Sequence, residues 1–152
     1  MTRIVIKRKI KSFNKIITVD SDKSLSIRSL LIGSQSYGLC KIKNLSQSGD
    51  ILSTIKGLRK LGIKIFFKNK ICYLYGNGLN GFKYKKNISI DAGNSGTFAR
   101  LLLGLIIKSP HEIRLVGDNS LTKRDFKRIA DPLKQFGAKF KLKNKNNLPL
   151  KV

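Results

Sequence analysis

The chain has 152 residues, of which 41% are hydrophobic, and its 32 Lys and Arg against 8 Asp and Glu give a net charge of +24. That apolar share excludes a disordered polymer, and the length suffices for one ordinary domain with a core. No apolar run is long enough to span a bilayer, since Leu101–Ile107 falls far short of the roughly 20 residues required.

In chain order, Ile4–Ile6 and Ile16–Val19 read as short strands. The opening Met1–Lys7 has neither the apolar core nor the small-residue cleavage site of a signal peptide, so a cytoplasmic protein is expected. Leu25–Ile32 carries a helical apolar pattern with Ser24 as its candidate cap. Leu39–Ile42 reads as a strand. Asp50–Leu61 reads as an amphipathic helix, with Ile51, Leu52, Ile55, Leu58 and Leu61 near one face and Gly62 as its stop. Ile63–Phe67 and Ile71–Tyr75 predict a hairpin around Lys68-Asn69-Lys70. Ser95–Ile107 reads as helix, His111–Val116 as strand, and Phe126–Phe136 as helix ending at Gly137. Ala138–Leu142 and Leu148–Val152 read as strands. The two cysteines, Cys40 and Cys72, lack metal-ligand or CxxC spacing and sit in apolar strands, which predicts buried free thiols.

The pattern occurs twice. Leu58-Arg59-Lys60-Leu61-Gly62-Ile63-Lys64 parallels Leu133-Lys134-Gln135-Phe136-Gly137-Ala138-Lys139, and Lys68-Asn69-Lys70 parallels Lys143-Asn144-Lys145. Arg28 parallels Arg100 in the same way. The chain therefore reads as α/β (α+β), two copies of a βαβαββ unit, and such units need neighbours to cover their apolar faces.

Three motifs sit at helix starts. Asp22-Lys23-Ser24-Leu25-Ser26-Ile27-Arg28 sets an ammonium, a hydroxyl and, one turn on, a guanidinium at the mouth of the first helix. Asp91-Ala92-Gly93-Asn94-Ser95-Gly96-Thr97-Phe98-Ala99-Arg100 opens the matching helix of the second copy. Its glycines allow close backbone approach, and a helix N-terminus favours an anion. Gly117-Asp118-Asn119-Ser120-Leu121-Thr122-Lys123-Arg124 precedes the last predicted helix. Taken alone, the glycine-rich motif reads first as a capped turn and Lys123-Arg124 first as solvated surface, with only the Lys23–Arg28 motif evenly poised. Their equivalent positions in two copies point to cations gathered around one polyanionic site.

Together these motifs resemble the N-terminal part of the 5-enolpyruvylshikimate-3-phosphate synthase family, the 3-phosphoshikimate 1-carboxyvinyltransferases. The family's Lys-Ser-x-Ser-x-Arg, Gly-Asn-x-Gly-Thr-x-x-Arg and Gly-Asp-x-Ser-Leu-x-x-Arg stretches find counterparts at Lys23–Arg28, Gly93–Arg100 and Gly117–Arg124, followed by Asp131-Pro132-Leu133 and Gly137-Ala138. Asp20-Ser21 stands where the family has Pro-Gly, and Asp125 where it has Pro. The resemblance implies the family's inverse α/β barrel, here an incomplete domain. Residues 1–20 would be leading strands of the hinge or other domain, and residues 21–152 two repeats of about 21–86 and 87–152.

It also implies transfer of the enolpyruvyl group of phosphoenolpyruvate to the 5-hydroxyl of shikimate 3-phosphate, with release of phosphate and with no metal or organic cofactor. Lys23, Ser24 and Arg28 would hold shikimate 3-phosphate. Lys23, Asn94, Gly96 and Arg124 would line the phosphoenolpyruvate subsite, where glyphosate is also expected, with Thr97 and Arg100 in support. The family's acid–base carboxylates lie outside this stretch, so the chain alone is expected to turn over no substrate. A complete family member is expected to be monomeric, with no membrane and no specific nucleic-acid partner. The related transferase acting on UDP-N-acetylglucosamine has Lys-Asn in place of Lys23-Ser24 and a catalytic cysteine loop, whereas Cys40 and Cys72 lie in strands.

A basic nucleic-acid-binding module is the competing class. The scatter of lysines along the chain counts against it, as does the reading of Phe66, Phe67, Tyr73 and Tyr75 as strand core rather than base-stacking platforms.

Overall fold

The computed structural model describes residue 16 and residues 19–152. The strand at Ile4–Ile6, most of that at Ile16–Val19 and the leading-strand assignment of residues 1–20 thus lie outside the described residues, apart from Ile16, Val19 and Asp20. The elements run α1 (Lys23–Ser34), β1 (Tyr37–Ile42), α2 (Gly49–Lys60), β2 (Lys64–Lys68), β3 (Ile71–Asn77), β4 (Ile88–Asp91), α3 (Gly96–Ile106), β5 (Ile113–Val116), a 3-10 turn (Leu121–Lys123), α4 (Lys127–Lys134), β6 (Lys141–Lys143) and β7 (Asn147–Lys151).

Two sheets form, in the orders β1-β3-β2 and β4-β5-β7-β6. The last three strands of the second sheet repeat the arrangement of the first, and β4 adds a parallel neighbour to β5. No sequence signal marks β4. Its four residues, Ile-Ser-Ile-Asp, are too few to carry a period, and its pairing with β5 is what fixes it as strand.

Local chemistry accounts for the boundaries. Asp22, not Ser24, caps α1: its Oδ1 accepts the Leu25 N–H at 2.6 Å. A carboxylate one residue earlier reaches the free N–H groups and also favours the positive end of the helix. α2 stops at Gly62, whose φ of +84° disfavours any residue with a Cβ. The β2–β3 turn is Asn69-Lys70, with φ of +50° and +60°. Two consecutive positive φ values make the two-residue turn whose twist matches paired strands. Asn144 and Lys145 take the same left-handed conformation in the second copy, between β6 and β7.

The core lies between the helices and the inner sheet faces, with Ile27, Leu30, Leu58, Leu74, Phe98 and Leu102 fully buried. α1 packs on α2 and α3, and α2 packs on β4, so the two copies share one core. At the seam, a Cβ on Gly57 would stand 2.5 Å from the Phe98 ring and 3.1 Å from Ile90.

Two expectations about burial are corrected. Cys72 is buried but Cys40 is only half-buried, with its Sγ 3.0 Å from the Ser36 hydroxyl. Phe66 and Tyr75 face outward, and Phe67, at a strand end, is half exposed. No helix among the described residues is long and apolar enough to cross a membrane.

Candidate functional site

The loop between β4 and α3 is fastened from both sides. Asp91 Oδ1 accepts the Gly93 N–H at 2.8 Å, and the Asp118 N–H reaches Gly93 O at 2.9 Å. Gly93 holds φ +56°. Ser95 caps α3 by accepting the Phe98 N–H. This leaves Asn94 exposed at the helix mouth and Gly96 as the first helical residue.

Asn94 works in two directions. Its Nδ2 donates to Asp118 Oδ2 at 2.9 Å, and its Oδ1 accepts from Arg124 Nη2 at 2.7 Å. The other Asp118 oxygen accepts the Leu121 N–H at 2.7 Å, tying the 3-10 turn to the same carboxylate. Asp118 thereby fixes which end of the Asn94 amide meets the guanidinium. Arg124 also approaches the Ser120 hydroxyl at 3.5 Å.

Arg124 and Arg100 converge over Gly96. A Cβ at that position would lie 2.8 Å from Arg124 Nη1 and 3.5 Å from Arg100 Nη1. The Arg100 guanidinium sits 5.5 Å from the Phe126 ring centroid and reaches Asp125 O at 3.5 Å. Burial, and then the positive charges of Arg128 and Arg124, pull its pKa below the ordinary arginine value, against the opposing pull of Asp125. An arginine so placed remains charged near neutral pH and gains from an anion that answers two guanidiniums at once. Thr97 sits half-buried on the same helical turn, whereas Lys123 is exposed beside the cluster rather than in it.

The α1 group lies next door. Lys23 Nζ pairs with Asp50 Oδ2 at 3.2 Å, and Arg28 Nη1 donates to the Ser24 carbonyl at 3.2 Å. Asp50 belongs to the first turn of α2. On the next turn, Ser53 Oγ would stand 2.7 Å from a Cβ on Gly93. The start of α2 therefore touches both groups, through Asp50 to Lys23 and through Ser53 to the Gly93 loop. The structure thus brings Asn94, Gly96, Arg100 and Arg124 into one cluster. It sets Lys23, Ser24 and Arg28 on the adjoining helix start, linked to that cluster by α2.

Sequence reasoning did not assign roles to Asp50, Ser53, Asp118 or Ser120. Asp118 lies inside the Gly117–Arg124 motif, but a carboxylate there reads as a turn former. Its visible signal is company: a lone acid among amides, hydroxyls and cations is placed to orient one of them.

A repeat-built α/β fold here brings guanidiniums, an ammonium and helix N-termini to one edge, an arrangement whose charge suits an anion. Comparison with known proteins narrows this. The sequence model for EPSP synthase (3-phosphoshikimate 1-carboxyvinyltransferase) matches residues 7–152. The 3-phosphoshikimate 1-carboxyvinyltransferase of Sulfurihydrogenibium is 40% identical over 146 residues, covering 95% of this chain and 34% of that protein. The protein of the same name from Alkaliphilus oremlandii is 42% identical over 149 residues, covering 97% and 34%. The solved EPSP synthase of Acinetobacter baumannii superposes with a TM-score of 0.83 at 33% identity, over 90% of this chain and 31% of that one. The chain belongs to the EPSP synthase family. It spans about a third of the length of the curated relatives it matches.

Proposed function

We propose that the chain is the N-terminal part of a 3-phosphoshikimate 1-carboxyvinyltransferase and supplies part of its substrate cradle. In this reading Lys23, Ser24 and Arg28 hold shikimate 3-phosphate. Lys23, Asn94, Gly96 and Arg124 form the phosphoenolpyruvate side, supported by Thr97 and Arg100. The observation that carries it is the convergence of Arg124 and Arg100 over a glycine at the mouth of α3. Any side chain at Gly96 would occupy the space an anion needs to reach both guanidiniums and the helix N–H groups.

The chemistry asks for such a cradle. Both substrates are anions that repel each other, and moving the enolpyruvyl group requires the 5-hydroxyl oxygen to bond to the phosphate-bearing carbon of phosphoenolpyruvate, the carbon–oxygen bond to phosphate to break, and the hydroxyl proton to leave with the phosphate. Fixed cations neutralise that repulsion and set the approach. Lys23, between the two groups, would exchange Asp50 for substrate when the site fills. The acid–base carboxylates would come from the part of the protein beyond this stretch. The division into residues 1–20 and two repeats, about 21–86 and 87–152, belongs to the same reading.

Calorimetric titration of the 152-residue chain with each substrate tests it. Arg28→Ala is expected to weaken shikimate 3-phosphate, and Arg124→Ala to weaken phosphoenolpyruvate, each by roughly tenfold or more, the worth of one charge-assisted hydrogen bond. Lys108→Ala, beyond the far end of α3 from the cluster, should change neither. Equal losses at all three positions, or no saturable binding of either substrate, would overturn the assignment.

A further inference from the structure

The outer face of the β1-β3-β2 sheet carries a row of rings with a cation at each end. Strand register pairs Lys41 with Tyr73 and Tyr73 with Phe66, and pairs Tyr75 with Lys64. Phe66 stacks on Tyr73 at 5.1 Å between centroids with 7° between planes, and on Tyr75 at 6.3 Å with 27°. Lys41 Nζ lies 6.0 Å from the Tyr73 ring and Lys64 Nζ 5.4 Å from the Tyr75 ring. The order across the face is Lys41, Tyr73, Phe66, Tyr75, Lys64. Phe66 is 37% exposed and Tyr75 38%, while Tyr73 is half-buried. None of the three strands contains an Asp or Glu. None of these five side chains belongs to the helix-start cluster.

We propose that this face binds single-stranded nucleic acid, with bases stacking on the Tyr73–Phe66–Tyr75 row and phosphates meeting Lys41 and Lys64. Each half of the arrangement restricts the occupant. Lysines without neighbouring carboxylates call for a polyanion. Aromatic rings at a sheet surface call for flat π-faces, which every base offers once it is unpaired. A duplex satisfies the first requirement but hides its base faces. Sheet surfaces with aromatic residues hold about two or three bases in this way. The two lysines now lie against ring faces, so a base that takes a ring face frees an ammonium for the adjacent phosphate.

The chain supplies its own reporter. It has no tryptophan and four tyrosines, and strand register puts Tyr37, Tyr73 and Tyr75 on this face. Oligouridylate and oligothymidylate of about ten nucleotides would each be titrated against the full chain near 0.15 M salt, with tyrosine emission and anisotropy recorded. A duplex of equal length and heparin, a polyanion without bases, serve as comparisons. Single strands are expected to quench tyrosine saturably and to bind about tenfold tighter than duplex. Heparin is expected to bind without quenching. A preference between the two oligonucleotides names the strand type, and either preference supports the proposal.

Phe66→Leu with Tyr73→Leu keeps apolar bulk but breaks the stacked row at its centre and takes away the Tyr73 ring, and is expected to weaken single-strand binding by about tenfold or more. Lys41→Ala with Lys64→Ala changes only surface groups. It should lower the slope of log affinity against log salt by about 0.7 per lysine, and it carries the test if the leucine variant fails to fold. Lys143→Ala with Lys145→Ala should leave single-strand affinity almost unchanged. Duplex or heparin binding as tight as single strands would overturn the proposal. So would equal losses from the two lysine pairs, or quenching by phosphatidylserine vesicles in place of oligonucleotide.

Discussion

Three helical glycines that look alike in sequence meet three different neighbours. Gly104 on α3 has nothing within 4 Å of its would-be Cβ. Gly104→Ala should therefore stabilise the protein by up to about 1 kcal/mol, the helix-propensity gain alone. Gly57 gains the same term but drives a methyl into the ring of Phe98, which is fully buried and has nowhere to move. Overpacking costs about 1–3 kcal/mol, so Gly57→Ala should be destabilised on balance. Gly96 meets the free end of a flexible side chain, Arg124. Gly96→Ala should unfold at nearly the wild-type denaturant concentration yet bind phosphoenolpyruvate several-fold more weakly. Urea titration and calorimetry of the three variants check the set. A stabilised Gly57→Ala, or a Gly96→Ala variant that binds normally, would contradict this account.

At the scale of elements, helices and turns were more legible than faces. α2 was readable because Ile51, Ile55, Leu58 and Leu61 share one buried side and a glycine stops it, although Leu52, expected on that side, is exposed. The β2–β3 hairpin was readable from Lys-Asn-Lys, and the second copy repeated the letters. The wrong inference concerned which side of the hairpin is buried. In Lys-Ile-Phe-Phe-Lys both lysines share the parity of Phe66 and mark that side as outward, whereas Ile-Cys-Tyr-Leu-Tyr is apolar on both parities and gives no choice by itself. Packing chose Ile65, Cys72 and Leu74 for the core and left Phe66, Tyr73 and Tyr75 on the other side.

The same hairpin offers a stability test. Lys70 holds φ +60° in a two-residue turn that favours glycine at its second position. Lys70→Gly should raise stability by up to about 1 kcal/mol, because the strain of the left-handed conformation outweighs the extra freedom of the unfolded chain. The check is the urea midpoint, and a lowered midpoint would contradict it.

At the scale of the whole molecule, charge dominates. Against a net +24 the described residues hold three ion pairs, Lys23–Asp50, Lys134–Asp131 and Lys151–Glu112, all partly exposed. Such pairs contribute little, and the folded chain repels itself. Raising sodium chloride from about 0.01 to 0.15 M shortens the screening length from roughly 30 to 8 Å. Melting followed by circular dichroism should then rise by several degrees, about what 1 kcal/mol yields at this size. A flat or falling melting temperature would contradict it.

The site was legible to the same depth as the fold. The residues that would touch an anion stood out as basic or glycine-rich motifs at helix starts. Those that orient them, Asp118 beneath Asn94 and Asp50 against Lys23, are acids in turns and first helical turns, and nothing in the local sequence separates them from ordinary caps.

The seam at Gly57 gives the two copies an order. Aligning Leu58 with Leu133 sets Gly57 opposite Pro132, and aligning Arg28 with Arg100 sets Ser26 opposite Phe98. The first copy thus carries a notch and the second the ring that fills it, while the first copy's counterpart of that ring is a serine hydroxyl bound to Asp22 O and the Ser46 N–H. Two first copies in tandem would face a notch with a hydroxyl, and two second copies would offer a ring to a proline. The duplication has become a lock with a direction, and the copies can no longer trade places.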